Sequence, residues 1–242
     1  MKKFIADPSF WVLFPDAAIG VLTVKDMDEA AKLTAEQAAE VADILKNANA
    51  AALRHLDSSL PFSQNRSVAV WREAYQKFPT KKGARCSIEA LLKRVSKGEP
   101  VGTIAPTVDL TNAISLRYAL PIGVENMAAF QGNLHLGTMS GGGDFLPIGS
   151  EEQDPPRPGE VAYYDEKGVV CRCWNWRDGQ RTQVTDSTTT EFIAMECVEP
   201  ARLCELQAAL DELADLLKKY AGAAVIAKQI VTAAAPEMVI AP

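Results

Sequence analysis

Val161-Ala162-Tyr163-Tyr164-Asp165-Glu166-Lys167-Gly168-Val169-Val170-Cys171-Arg172-Cys173-Trp174 reads as two β-type runs joined by the turn Asp165 to Gly168. Apolar and aromatic residues on both sides of a short polar, glycine-ended break predict a hairpin. Upstream, Leu134-His135-Leu136-Gly137 and Phe145-Leu146-Pro147-Ile148 continue the period-two punctuation, and downstream Phe192-Ile193-Ala194-Met195 reads as a further buried strand. The period changes before this region. Residues 35–56 are predicted to form a long amphipathic helix, opened by a capping box of Thr34 and Gln37. Val68 to Phe78 has helical spacing and is stopped by Pro79. Ser87 is expected to cap a helix over 88–96, and a third helix is expected over 109–118. After the strands, Pro200 opens a helix whose Leu203, Leu206, Leu210, Leu213 and Leu217 recur at three- and four-residue steps up to Gly222. Helices and strands fall in separate blocks, so the predicted class is α+β, a mainly antiparallel sheet packed with helices.

The outer segments are read more coarsely. Ser9 to Val24 holds two apolar runs around Pro15-Asp16 and is expected to be a strand pair at a sheet edge, where proline is tolerated. Val225 to Val231 is a last apolar run, followed by an Ala/Pro-rich end expected to fray.

Composition narrows the function classes. The 242 residues are 48% hydrophobic and 23% charged, typical of a globular chain able to bury a large core. With 25 basic and 31 acidic residues the formal net charge is −6, which argues against a binder that relies on sequence-blind phosphate neutralisation and leaves only a local basic groove. Five cysteines, an odd number whose only close pair is C-x-C, fit reduced thiols in the cytoplasm. His55 and His135 are the only histidines and stand at no metal-ligand spacing, so neither a metal nor a cofactor is expected. The apolar N-terminus is interrupted by Asp7, Pro8, Pro15 and Asp16, against a signal peptide, and no apolar run suits a membrane span.

Ser140-Gly141-Gly142-Gly143 could cradle an anion, but it lacks the following Gly-Lys-Ser/Thr and precedes no helix, so a strand connection is expected. Trp174-Asn175-Trp176-Arg177-Asp178-Gly179-Gln180-Arg181-Thr182 is the densest polar–aromatic stretch. It admits two readings: a tryptophan-anchored turn with solvated arginines, or a platform on which an indole stacks a base while arginines hold phosphates.

Ser87-Ile88-Glu89-Ala90-Leu91-Leu92-Lys93-Arg94-Val95, the helix Val108-Asp109-Leu110-Thr111-Asn112-Ala113-Ile114-Ser115-Leu116-Arg117-Tyr118-Ala119-Leu120-Pro121, the tryptophan–arginine turn and Val184-Thr185-Asp186-Ser187-Thr188 follow in that order. This series resembles the B3/B4 editing domain of the bacterial phenylalanyl-tRNA synthetase β subunit, as a free-standing chain, over about Ser67 to Val198. The helix 108–121 resembles the family pattern V-D-x-T-N-x-x-x-L-x-x-G-x-P. The domain's histidine after that proline is replaced by Ile122-Gly123-Val124-Glu125-Asn126, and its Gly-Gly-Glu turn by Gly179-Gln180-Arg181.

One domain over 1–242 is expected, in which 1–66 complete the core rather than make a dimer contact, because one long helix over a strand pair cannot bury its apolar face alone, and 199–242 supply a C-terminal helix and tail. What the resemblance implies is a B3/B4-like fold with 67–198 as the B3/B4 core. It further implies a trans-acting hydrolase that deacylates mischarged tRNA by water attack on the 3′ ester, without membrane or DNA as partner. An aminoacyl ester is already activated, so a positioned water needs neither protein nucleophile nor metal. Asn112 and Asn126 are the candidates for orienting ester or water, and Glu125 for holding the substrate ammonium or accepting a proton. Thr182, Thr188, Trp174 and Asn175 are candidates for the substrate pocket, and Trp176, Arg177 and Arg181 for the RNA end. The alternative is a non-catalytic module that binds an amino acid or the tRNA 3′ end, and fold alone also admits an unrelated small-molecule enzyme.

Overall fold

The structure, a computed structural model, describes residues 1–27 and 33–241. Its helices are α1 (Pro8–Leu13), α2 (Ala35–Ala52), α3 (Arg66–Tyr75), α4 (Ser87–Ser96), α5 (Pro106–Tyr118) and α6 (Leu203–Ala221). Its strands are β1 (Lys2–Ala6), β2 (Ala18–Lys25), β3 (Ile122–Asn126), β4 (Leu134–Thr138), β5 (Val161–Asp165), β6 (Gly168–Arg172), β7 (Arg177–Asp178), β8 (Thr190–Cys197), β9 (Ala224–Val231) and β10 (Glu237–Ala241). They form a six-stranded sheet in the order β10-β1-β4-β5-β6-β7 and a four-stranded sheet in the order β3-β8-β2-β9. Only β1 and β4 pair in parallel; every other named pair is antiparallel, so the class is α+β.

The four-stranded sheet separates two cores, and the period of two decides which residue enters which. From β8, Phe192 and Ala194 face the first core and Ile193, Met195 and Cys197 the second. The second core is closed by α6, whose Leu206, Leu210, Leu213 and Leu217 are fully buried. Gly20 on β2 lets that helix approach closely, since a Cβ there would lie 3.1 Å from Leu206 Cδ1. Gly222 ends α6 in the left-handed region. At the end of α5 the glycine of the family pattern is Ala119, which still adopts the left-handed cap at φ 48°. The Thr34–Gln37 capping box of α2 is fully formed.

Three expectations are corrected. Residues 9–24 are not an edge strand pair: Pro8 opens α1, and β2 is interior, flanked by β8 and β9. The indole Nε1 of Trp11 donates to Ala6 O and Phe10 is fully buried, so packing overrides the strand propensity of this aromatic run. Phe145 to Ile148 is not a strand, because Pro147 makes only an isolated bridge to Gly179. The C-terminal end does not fray up to Ala241: β10 pairs with β1 and buries Met238 and Ile240.

Candidate functional site

Between the two sheets lies a cavity of about 60 Å³ of space open to water centres, enough for about four waters at roughly 10–15 Å³ each. The four-stranded sheet contributes Gly123 and Glu125 from β3 and Phe192, Ala194 and Glu196 from β8. Register puts these on one face, because Gly123 pairs with Ala194 and Glu125 with Phe192. The six-stranded sheet answers with Leu134, Tyr163, Val170, Cys171 and Asp178, while Trp174, Asn175 and Trp176 close one side and Ser87 of α4 another. A second, outer hollow of about 240 Å³ shares Ile122, Gly123 and Asp178 with the first and is walled by Thr107, Val108 and Thr111 of α5.

Strained backbone shapes the tryptophan wall. Cys173 and Trp174 have φ values of 46° and 65°, a conformation that costs non-glycine residues of order 1–3 kcal/mol each. It is held from below by a buried ion pair: Glu160 Oε1 and Oε2 accept from Arg172 Nε at 2.9 Å and Nη2 at 2.7 Å, and Oε1 also accepts from Cys173 N at 3.0 Å. Trp174 N donates to Val161 O at 2.7 Å, and its ring, fully buried, packs edge-on against Phe10 and Trp71. The turn thereby delivers Asn175, whose Oδ1 accepts from Tyr75 OH at 2.9 Å and whose Nδ2 donates to Glu196 Oε2 at 3.4 Å. Tyr163 OH donates to Glu196 Oε1 at 2.7 Å.

The electrostatics are one-sided. Glu125, Asp178 and Glu196 all line the cavity, and among the described residues no lysine or arginine does. Burial pushes Glu125 well above the ordinary carboxylate range, helped by the charge of Asp178 and opposed by Thr182 and Arg181. Burial also raises Asp178, and it pushes Glu196 up to about 8 despite the bonds from Tyr163 and Asn175. Glu125 touches Asp178 and Thr182, yet its Oε2 has no hydrogen bond of normal geometry, and neither does Trp174 Nε1 or Ser87 Oγ. Ser87 is therefore not the helix cap expected of it: the cap position is Cys86, and the Ser87 hydroxyl lies at the cavity.

Of the residues singled out in the sequence, Glu125, Trp174, Asn175 and Trp176 meet at the cavity. Thr182 is fully buried behind Glu125. Asn112 is half-buried on α5 and lines neither hollow. Asn126 accepts from Ala128 N and caps a short turn, and Thr188 Oγ1 accepts from Thr185 N. Trp174 has no open face for a base, whereas Trp176 is half-buried with the exposed Arg177 guanidinium 5.4 Å from its ring centroid. Arg181 is not a solvated arginine; it binds Asp165 at 2.7 and 2.9 Å and Ala129 O at 3.1 Å. Sequence reasoning missed Asp178, read as a turn residue, Tyr163, read with a strand, and Glu196, which lies just past the strand read over 192–195. The available signal was Glu196 on the same alternate positions as Phe192 and Ala194, one residue past the apolar run 192–195. The histidines lie elsewhere, His55 Nε2 at 2.9 Å from Arg117 O and His135 Nδ1 at 2.9 Å from Asp7 Oδ1. The five cysteines are free.

Comparison with known proteins adds the following. A family model described as the B3/4 domain matches residues 70–222. Among solved structures, an N-terminal fragment of the phenylalanyl-tRNA synthetase β-subunit from Pyrococcus horikoshii is similar at a TM-score of 0.48 and 12% identity, over 92% of this chain and 49% of that one. The chain thus spans about half the length of that fragment. No curated protein matches. Among the described residues no helix is long and apolar enough to cross a membrane.

Proposed function

We propose, from the premise that the chain belongs to the B3/4 domain family, that it is a trans-acting hydrolase that removes an amino acid from a mischarged tRNA. The observation that carries this reading is the pair of adjoining hollows with Asp178 and Gly123 at their boundary. The inner cavity receives part of the aminoacyl group, the outer hollow the ester and terminal ribose. Residues 1–66 and 199–242 are then parts of one domain built around 67–198.

Water adds to the ester carbonyl carbon, the bond to the ribose oxygen breaks, and the water's proton passes to that oxygen. Asp178, at the boundary, is placed to accept and return this proton; Glu125 and Asn175 orient the aminoacyl group. Trp176 and the exposed Arg177 offer a stacking face and a cation at the rim for the terminal nucleotide. Arg181, engaged with Asp165, supports the turn instead. Asn112, Asn126 and Thr188 act through the surrounding backbone and helix packing rather than by touching substrate.

Both histidines lie away from the cavity, and this favours a second reading, a module that binds the aminoacyl end without hydrolysing it. Incubation with correctly and incorrectly charged tRNAs separates the two. The hydrolase releases amino acid faster than a protein-free control from some mischarged pairs, and Asp178→Asn abolishes release while tRNA-end binding persists. A binder slows spontaneous release or leaves it unchanged.

A further inference from the structure

The buried Glu125 and Glu196 share one small cavity with the half-buried Asp178, and among the described residues no lysine or arginine lines it, which is costly to the fold. Tyr163 and Asn175 answer Glu196, but Glu125 Oε2, on a side chain 5% exposed, is left without a normal hydrogen bond. Aromatic rings of Tyr163, Trp174, Trp176 and Phe192 complete the lining. Carboxyl oxygens facing one another favour a cation that donates hydrogen bonds over an anionic group. The largely apolar and aromatic remainder of the lining suits a cation carried on carbon, an organic one. Space for about four waters admits an ammonium nitrogen with about three attached carbons.

We propose that the inner cavity is a primary-ammonium site, so that the aminoacyl group enters with its ammonium between Glu125, Asp178 and Glu196. This rests on the hydrolase reading for its substrate, though not for the binding itself. The same chemistry has two sources, the α-ammonium carried by every aminoacyl ester and the terminal ammonium of a short basic side chain. The groups facing the ammonium are those three carboxyls together with Cys171 and Tyr163; Tyr75 and Cys86 stand behind, and Arg177 and Arg181 act from farther off. Burial pushes Glu196 up to about 8, so an ammonium arriving near neutral pH favours the loss of its proton.

Tryptophan fluorescence and calorimetry on the full chain test this with matched probes: alanine methyl ester against methyl lactate, and Nα-acetylornithine methyl ester against Nα-acetylnorvaline methyl ester. We expect at least tenfold tighter binding of the ammonium member of one pair, which identifies the source. At pH 7 that binding releases protons, seen as a heat that varies with the buffer's ionisation enthalpy. Glu125→Gln with Glu196→Gln reduces the preference below twofold, and Gly123→Val, which projects into the cavity without altering a charge, blocks both members. Equal binding within both pairs, or a preference that survives both variants, overturns the proposal. If neither ammonium is preferred while mischarged tRNA is still deacylated, only this inference fails. If an ammonium is preferred and no tRNA is deacylated, the hydrolase reading fails instead.

Discussion

Glu160→Gln is the most demanding test of how the cavity wall is held. Glu160 is fully buried and accepts from Arg172 Nε and Nη2, from Cys173 N, and from Arg157 N at 3.1 Å. Removing its charge strands the guanidinium of Arg172, itself 1% exposed, and breaking a buried pair by losing one partner costs about 3–5 kcal/mol. Asp154 Oδ1 remains 2.7 Å from Arg172 Nη1, so we expect the lower end, about 3 kcal/mol, in urea unfolding at pH 7. Burial alone would raise Glu160, but the bonds and charge of Arg172 outweigh it and hold the carboxyl below its ordinary 4.5. A depressed carboxylate stabilises the fold above its unfolded pKa and loses that contribution as pH falls through the folded one. The gap between wild type and variant therefore stays level down to about pH 4.5 and narrows only below it. Arg172→Met combined with Glu160→Gln removes both charges and should cost less than the sum of the single changes. A gap under about 1 kcal/mol at pH 7, or one unchanged down to pH 3, refutes the reasoning.

Other outcomes follow from single side chains. Burial pushes Glu196 up to about 8 from an ordinary 4.5, so wild-type stability falls as pH rises across that interval; Glu196→Gln escapes this, and its advantage in denaturant melts should grow to at most about 5 kcal/mol by pH 8. In Gly137→Ala the new Cβ would lie 2.4 Å from Asp7 Oδ2, displacing the carboxylate that binds His135 and Tyr164; thermal unfolding should show a loss of about 1–3 kcal/mol, and the Tyr164 phenol, now held above its ordinary range, should titrate lower. Leu210→Ala opens a void in the fully buried seam between α6 and β2, and urea titration should register about 2–5 kcal/mol.

Much of the helical structure was legible because its signals are local. The Thr34–Gln37 box, the leucine ladder of α6 and Gly222 each act within a few residues, and the Asp165–Gly168 turn fixes its own hairpin. What failed was non-local. Nothing near β2 announces that β8 and β9 will flank it, and β10 is ordered by pairing with the opposite end of the chain. The site divides the same way. Trp174, Asn175 and Trp176 stood out by composition, and Glu125 by its place after the family helix. Asp178 and Glu196 gain meaning only when β8 sets Glu196 on the same sheet face as Glu125 and β7 brings Asp178 to them from the other sheet. A tryptophan-anchored turn was one of the two readings of this stretch, but the partners of Trp174 were hidden, since Phe10 and Trp71 are more than a hundred residues away.

The hydrolase reading is met most directly by release of labelled amino acid from a panel of charged tRNAs, measured side by side for wild type and Gly123→Val. Gly123 lines both hollows and a Cβ there meets no atom within 4 Å, so the strand has room for a side chain, and a denaturant melt of the variant should match that of wild type. The account predicts rapid release from some mischarged tRNAs by wild type and at least a tenfold loss in the variant. Release at equal rates by both proteins, or by neither from any pair, contradicts it.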